Sequence, residues 1–303
     1  MSRALRVIGG DGMDPELREA TLRAALAGTG WALAADGQAE AEFDLDAVAY
    51  QGLDTIAFPI RAFLTAIDHP AERVAYGRDA EQWIEWRRPA GPPRALAVLV
   101  HGGFYRSRWR ADLMDALGAD LAARGWVSAN LEYRRPDRQG WDATVDDVFA
   151  GVLAAQAAAP GLPVVLFGHS AGGQLVLQAV ETLGPTVVDL AVSLTGVVDL
   201  VAAHDRALGE HAIGLALGGS PVEQPMRYAA ADPSAWTERR GAWLLVEGDQ
   251  DSTDLREMNR RLSRREDLGR PELIEGPGDH FSVIDPATPI WAATIDRVEV
   301  LLG

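Results

Sequence analysis

The chain has 303 residues and a formal net charge of −16, from 44 acidic and 28 basic residues. That length can bury a large core and fits one big α/β domain as well as two smaller ones, while the negative field works against nucleic acid and anionic membranes and suits a small neutral or cationic substrate. Every basic residue is arginine and cysteine is absent, which removes lysine Schiff bases, a P-loop lysine, a Ser-Lys dyad, thiolate nucleophiles, disulfides and cysteine-bound metals, and leaves covalent chemistry to an oxygen or imidazole nucleophile.

The first ten residues, Met1 to Gly10, lack an apolar core of export length, and nowhere are there about 18 uninterrupted apolar residues. A cytoplasmic, non-membrane protein is the expectation. Asp14-Pro15-Glu16 reads as a helix start, after which the sequence to about Asp68 mixes alanine, acidic residues and isolated aromatics without a strand pattern. Residues 1–72 are expected to form an N-terminal extension, either a lid or a helical flap, ahead of a main domain over 73–303.

From Arg73 the texture changes. Arg73 to Gly77 and Gln82 to Arg87 read as two strands around a turn, an antiparallel edge. Apolar strand candidates then alternate with helices: Ala95 to Val100, Val127 to Tyr133, Val164 to Phe167, Val187 to Leu194, Trp243 to Glu247 and Glu272 to Glu275. This alternation predicts an α/β fold with a mostly parallel central sheet flanked by helices. Leu113, Met114, Leu117 and Leu121 mark the buried side of one helix, Val148, Val152 and Leu153 that of a second, and Leu175, Leu177 and Val180 that of a third. Residues 199–227 interrupt the alternation and are expected to form a small cap.

Chemistry concentrates at strand ends. Val164 to Phe167 runs into Gly168-His169-Ser170-Ala171-Gly172, a G-x-S-x-G nucleophile elbow that makes Ser170 the candidate nucleophile. A serine nucleophile needs a base, a group to orient that base, and donors for the oxyanion. Asp251 follows the strand Trp243 to Glu247, and His280 lies just past the last strand. The order Ser170, Asp251, His280 is that of α/β-hydrolases and differs from those of chymotrypsin and subtilisin. Asp249 and Asp254 are rival acids that fit loop or helix-cap roles better. His101-Gly102-Gly103-Phe104-Tyr105 follows the strand Ala95 to Val100, and the backbone N–H groups of Gly103, Phe104 and Ala171 are the expected oxyanion hole.

Phe104, Tyr105 and Trp109 are candidates to line a substrate pocket, against the plainer reading that they pack the loop on the cap. His101 and His169 sit inside the motifs and are expected to bond loop backbone rather than act as bases. His69, His204 and His211 lack partners at metal-ligand spacing, so neither a metal nor a cofactor is expected. Asp146 and Asp147 read as first-turn helix carboxylates.

Together, His101 to Arg106, Asn130 to Arg135, Gly168 to Gly173 and Asp279 to Asp285 resemble bacterial α/β-hydrolases related to kynurenine formamidase and the small esterases, over roughly Arg73 to Gly303. The resemblance implies a serine hydrolase with Ser170, Asp251 and His280 as triad and an HGG-type oxyanion loop. Phe104-Tyr105 stands where such proteins often carry tryptophan, and Gln174 where histidine is frequent, departures that bear on substrate rather than chemistry. The expectation is hydrolysis of a small ester or an activated amide through an acyl-serine intermediate, with a small molecule as partner and self-association left open. The alternatives are an acyltransferase, lyase or cyclase on the same triad, and a non-catalytic binding protein on the same fold.

Overall fold

The computed structural model describes residues 3–9, 13–34, 39–45 and 53–303. They belong to two compact units that divide at Pro70. The first contains β1 (Arg3–Ile8), α1 (Pro15–Leu26), β2 (Trp31–Leu33), β3 (Ala41–Asp44) and α2 (Leu53–Asp68), with β1 central and parallel to both neighbours. Helix α1 starts where the Asp14 carboxylate accepts the N–H groups of Glu16 and Leu17, each at 3.0 Å, satisfying two donors that the first turn leaves open. Leu5, Leu22, Trp31, Ile60 and Leu64 form its core.

Strands β2 and β3 correct the expectation of a strand-free stretch before Asp68. They are three and four residues long, and β3 reads Ala-Glu-Phe-Asp with every residue at least partly exposed. Neither a buried apolar run nor a long alternation marks them.

The second unit is built on eight strands: β4 (Glu72–Ala75), β5 (Trp83–Arg87), β6 (Leu96–Val100), β7 (Val127–Glu132), β8 (Val164–His169), β9 (Leu190–Leu194), β10 (Trp243–Gly248) and β11 (Glu272–Gly276). Their order is β11-β10-β9-β8-β6-β7-β5-β4, parallel from β11 through β7, with β5 and β4 antiparallel at the edge. Strands β6 to β10 are buried along their whole length, as a parallel sheet covered on both faces requires. Strand β9 starts three residues later than Val187 because the N–H groups of Val187 and Val188 both turn back to the Gly184 carbonyl at 3.1 Å.

The helices are α3 (Asp115–Ala123), entered through a 3₁₀ turn at Ala111–Met114, α4 (Pro136–Gln139), α5 (Trp141–Ala158), α6 (Ala171–Leu183), α7 (Leu200–Asp205), α8 (Leu208–Leu217), α9 (Pro225–Ala231), α10 (Thr253–Ser263) and α11 (Pro289–Leu302). Of the residues expected on their apolar faces, Leu153 departs: it is 43% exposed while Val148 and Val152 are buried, because adjacent helical residues point about 100° apart. Helices α7 to α9 lie between β9 and β10. Within α8, Gly209, Glu210 and His211 have left-handed backbone angles, with φ of 57°, 57° and 62°. Strand β6 pairs with β7 on one side and β8 on the other, so the segments leaving β6 and β8 emerge together at a point where strand order reverses, the usual site for a ligand in such sheets.

Candidate active site

Ser170 stands between β8 and α6 with φ 55° and ψ −118°, a conformation that costs a non-glycine residue about 1–3 kcal/mol. The turn is held by backbone bonds. The Ser170 N–H donates to Leu194 at 2.9 Å, and its carbonyl accepts from Gly173 at 2.9 Å and Val197 at 3.2 Å. A side chain at Gly168 or Gly172 would run into neighbouring backbone, which is why the elbow is flanked by glycine.

The segment after β6 lies directly on this turn. A Cβ at Gly102 would stand 2.6 Å from the His169 carbonyl oxygen and 2.8 Å from the Ser170 Cβ. Gly103, Phe104 and Tyr105 follow with φ of 115°, 49° and 59°, a run of positive angles that curls the backbone. Ala171, the first residue of α6, has no acceptor for its N–H within the helix. The His101 Nδ1–H donates to the Gly102 carbonyl at 2.8 Å, the Tyr133 hydroxyl donates to the His101 carbonyl at 2.7 Å, and the two rings stack at 4.5 Å. Burial, aided by the nearby Arg135 charge, pushes His101 down to about 3 and keeps it neutral.

On the other side of β8, His280 Nδ1–H donates to Asp251 Oδ2 at 2.9 Å. The same Oδ2 accepts the Thr195 hydroxyl, and Oδ1 accepts the Ser252 N–H at 2.5 Å. Burial alone would raise the Asp251 pKa, but His280 and these two donors outweigh it and hold the carboxyl below its ordinary range. Asp249 is exposed and bonds the Gly278 N–H at 3.2 Å, while Asp254 pairs with Arg206 at 2.6 Å. Neither is bonded to the imidazole, so the three rival acids separate cleanly.

His169 bonds loop backbone as expected, and one further residue, Thr195, gains a role that local pattern does not reveal. His169 sits beside Ser170 in sequence, and its Nε2–H donates to the backbone carbonyl of His280 at 2.8 Å; burial, with His280 nearby, pushes it down to about 3. Thr195, with φ 49°, follows β9 directly and donates its hydroxyl to Asp251. The sequence signal for Thr195 is faint, a threonine one residue past a strand.

The aromatic candidates divide. Tyr105 is 2% exposed with its hydroxyl bonded to Gln174 at 2.9 Å. Together with Phe104, it lines a cavity of about 350 Å³ whose other walls include Ala212, Leu215 and Ala216 of α8. Trp109 is not among the lining residues; its side chain packs against Gly103. His204 bonds Asp205 at 3.2 Å, Asp147 pairs with Arg134 at 2.7 Å, and among the described residues no helix is long and apolar enough to cross a membrane.

A mostly parallel sheet of this order, with a strained serine turn after a central strand and a His-Asp pair at the same edge, defines an α/β-hydrolase fold. The structure of Esterase B from Lactobacillus Rhamnosis superposes with a TM-score of 0.63 at 15% identity, covering 80% of this chain and 89% of that one. The chain belongs to the BD-FAE family, whose model matches residues 88–263. Among characterised relatives, it is similar to Esterase LipC of Mycobacterium tuberculosis, at 28% identity over 71% of this chain and 60% of that protein. It is also similar to an acetyl-hydrolase of Streptomyces hygroscopicus, at 33% identity over 38% of each. The chain thus spans less than two thirds of the length of either relative.

Proposed function

We propose that the protein is a serine carboxylesterase that cleaves a small ester through an acyl-Ser170 intermediate. The observation that carries this reading is the His280–Asp251 bond of 2.9 Å, made on a loop that His169 ties to the serine turn. With Nδ1–H held by Asp251, the neutral ring presents an unprotonated Nε2 as base.

His280 takes the Ser170 hydroxyl proton as Oγ attacks the ester carbonyl. Negative charge moves onto the carbonyl oxygen, facing the N–H groups of Ala171, Gly103 and Phe104. The imidazolium, stabilised by Asp251, returns the proton to the departing alkoxide. Water then repeats the sequence on the acyl-enzyme and frees Ser170. The names of the relatives, an esterase and an acetyl-hydrolase, support an ester with a short acyl group; an activated amide such as an N-formyl arylamine is the harder substrate for the same machinery.

The test compares wild type and Ser170→Ala on p-nitrophenyl acetate and N-formylkynurenine, with fluorophosphonate labelling alongside. Turnover of the acetate, a loss of roughly 10⁴-fold or more in the variant, and labelling confined to Ser170 are expected. Equal turnover in the variant, or no labelling of folded wild type, overturns the reading.

A further inference from the structure

The backbone that carries the two proposed oxyanion donors after β6 is strained, and its restraint comes from outside the loop. The Arg106 N–H donates to the Gly103 carbonyl at 3.0 Å, closing a tight turn whose two central residues, Phe104 and Tyr105, have φ of 49° and 59°. Glycine, asparagine and aspartate are the ordinary occupants of a turn with two positive φ angles. Two aromatic residues hold that shape only where surrounding contacts impose it. Just past the turn, Arg106 bonds Glu210 at 2.9 Å, but the Glu210 side chain is 85% exposed, and an ion pair open to water is a weak restraint. Within the turn the contact is buried. The Tyr105 hydroxyl donates to Gln174 Oε1 at 2.9 Å, with both residues shut away from solvent, and the Tyr105 ring stands edge-on to Trp141 at 5.3 Å.

Gln174 is itself fixed. Its Nε2 donates to the Ala231 carbonyl at 2.8 Å and to Gln178 Oε1 at 2.9 Å, and an amide with both donor hydrogens in use has one orientation, which presents Oε1 to Tyr105. Gln174 stands on the first turn of α6, the helix that Ala171 opens, while Tyr105 adjoins Phe104 in the strained turn. One bond therefore links the two segments whose N–H groups must converge on a single oxygen. We propose that Tyr105 and Gln174 are positioning residues for the oxyanion hole: their hydrogen bond sets the spacing between the N–H groups of Gly103 and Phe104 and that of Ala171. It thereby acts on the charged transition state and leaves ester binding in place. This deepens the esterase reading above and rests on it.

The experiment measures kcat and KM for p-nitrophenyl acetate, and inhibition by a trifluoromethyl ketone, in wild type, Tyr105→Phe, Gln174→Met and the double variant, with melting curves alongside. Ser170 Oγ adds to the ketone carbonyl, its proton passes to His280, and the ketone oxygen takes up the negative charge that the hole receives. Each single variant breaks the same bond with a side chain of similar size, so either one that folds decides the matter. In each, kcat is expected to fall roughly 10- to 100-fold with KM within about two-fold of wild type, and the inhibition constant of the ketone to rise by a similar factor. The double variant is expected to be no slower than the slower single one, because both changes remove one interaction. A loss confined to melting temperature, a kcat within about two-fold of wild type in a folded single variant, or losses that multiply in the double variant overturns the assignment. Absence of any Ser170-dependent ester turnover in wild type is a different result: it removes the esterase reading and this inference with it.

Discussion

The Nε2–H of His169 donates to the backbone carbonyl of His280 across 2.8 Å, joining residues 111 positions apart in sequence. One belongs to the serine turn and the other is the proposed base, so the bond sets where the imidazole's own backbone stands relative to Ser170. Their rings lie 4.7 Å apart. His169→Leu removes the donor and leaves a carbonyl unsatisfied; it is expected to lower kcat by roughly 10- to 100-fold with KM little changed. His169→Gln, whose amide nitrogen reaches a similar position, recovers much of the loss. Steady-state kinetics on the three proteins check this, and an inert His169→Leu would reduce the bond to packing.

Asp251 receives His280 and the Thr195 hydroxyl on one oxygen. Asp251→Asn is expected to cut kcat by about 10⁴-fold while preserving the fold, since the amide favours the wrong imidazole tautomer. Thr195→Val keeps shape, removes one donor and is expected to cost about ten-fold. A Thr195→Val enzyme as slow as Asp251→Asn would show that the threonine does more than orient the acid.

Acid stability follows from the two buried imidazoles. His101 and His169 are each pushed down to about 3, mainly by burial, against about 6.5 in an unfolded chain. Between those values the unfolded state binds protons that the native state refuses, so stability falls as pH drops from about 6.5 toward 3, by up to ~1.4 kcal/mol per pH unit for each ring. The difference in unfolding free energy between wild type and His101→Asn, or wild type and His169→Gln, should carry that slope, independently of every other titrating group. Denaturant melts at pH 7, 6, 5 and 4 measure it; parallel curves would contradict the assignment.

Gly102→Ala places a methyl 2.6 Å from the His169 carbonyl oxygen and 2.8 Å from the Ser170 Cβ. Backbone on one side and the nucleophile on the other leave little room to yield. The variant should lose about 1–3 kcal/mol of stability and most of its ester turnover together, read by calorimetry and by p-nitrophenyl acetate assay. Retained turnover would mean that the loop can move off the serine turn without consequence.

Arg135 is 1% exposed and lies between Glu132, with which it is bonded, and Glu81 at 2.7 Å. Removing one partner leaves a buried charge, so Glu132→Ala is expected to cost about 3–5 kcal/mol. Because Glu132 also accepts the Ala111 N–H at 2.9 Å, the melting temperature is the readout to follow. A shift of only a degree or two would indicate that Glu81 alone compensates.

The sheet of the second unit was legible because its strands are apolar runs, buried on both faces, separated by helices with clear periodicity. The serine turn was legible because its requirements are local: a strand, two glycines and a helix within ten residues. Asp251 could be preferred over its neighbours by its place after β10, although only the bond to His280 separates it from Asp249 and Asp254 physically. For His169 a bond to loop backbone was legible but not which carbonyl it reaches, and Thr195 stayed hidden altogether, because both partners are far away in sequence. Strands β2 and β3 were missed for a different reason, since three or four mostly half-exposed residues leave no periodic signal. The left-handed turn at Gly209 to His211 was equally silent: two of its three residues are not glycine.

Strands β6 and β8 are bonded to each other from Leu96 to Gly168, whereas α8 hangs from the long connection between β9 and β10. Insertions, deletions and substitutions in that connection can therefore reshape the cavity without disturbing a single rung of the ladder beneath Ser170. Sequence drift around α8 is thereby uncoupled from the register that holds the serine turn.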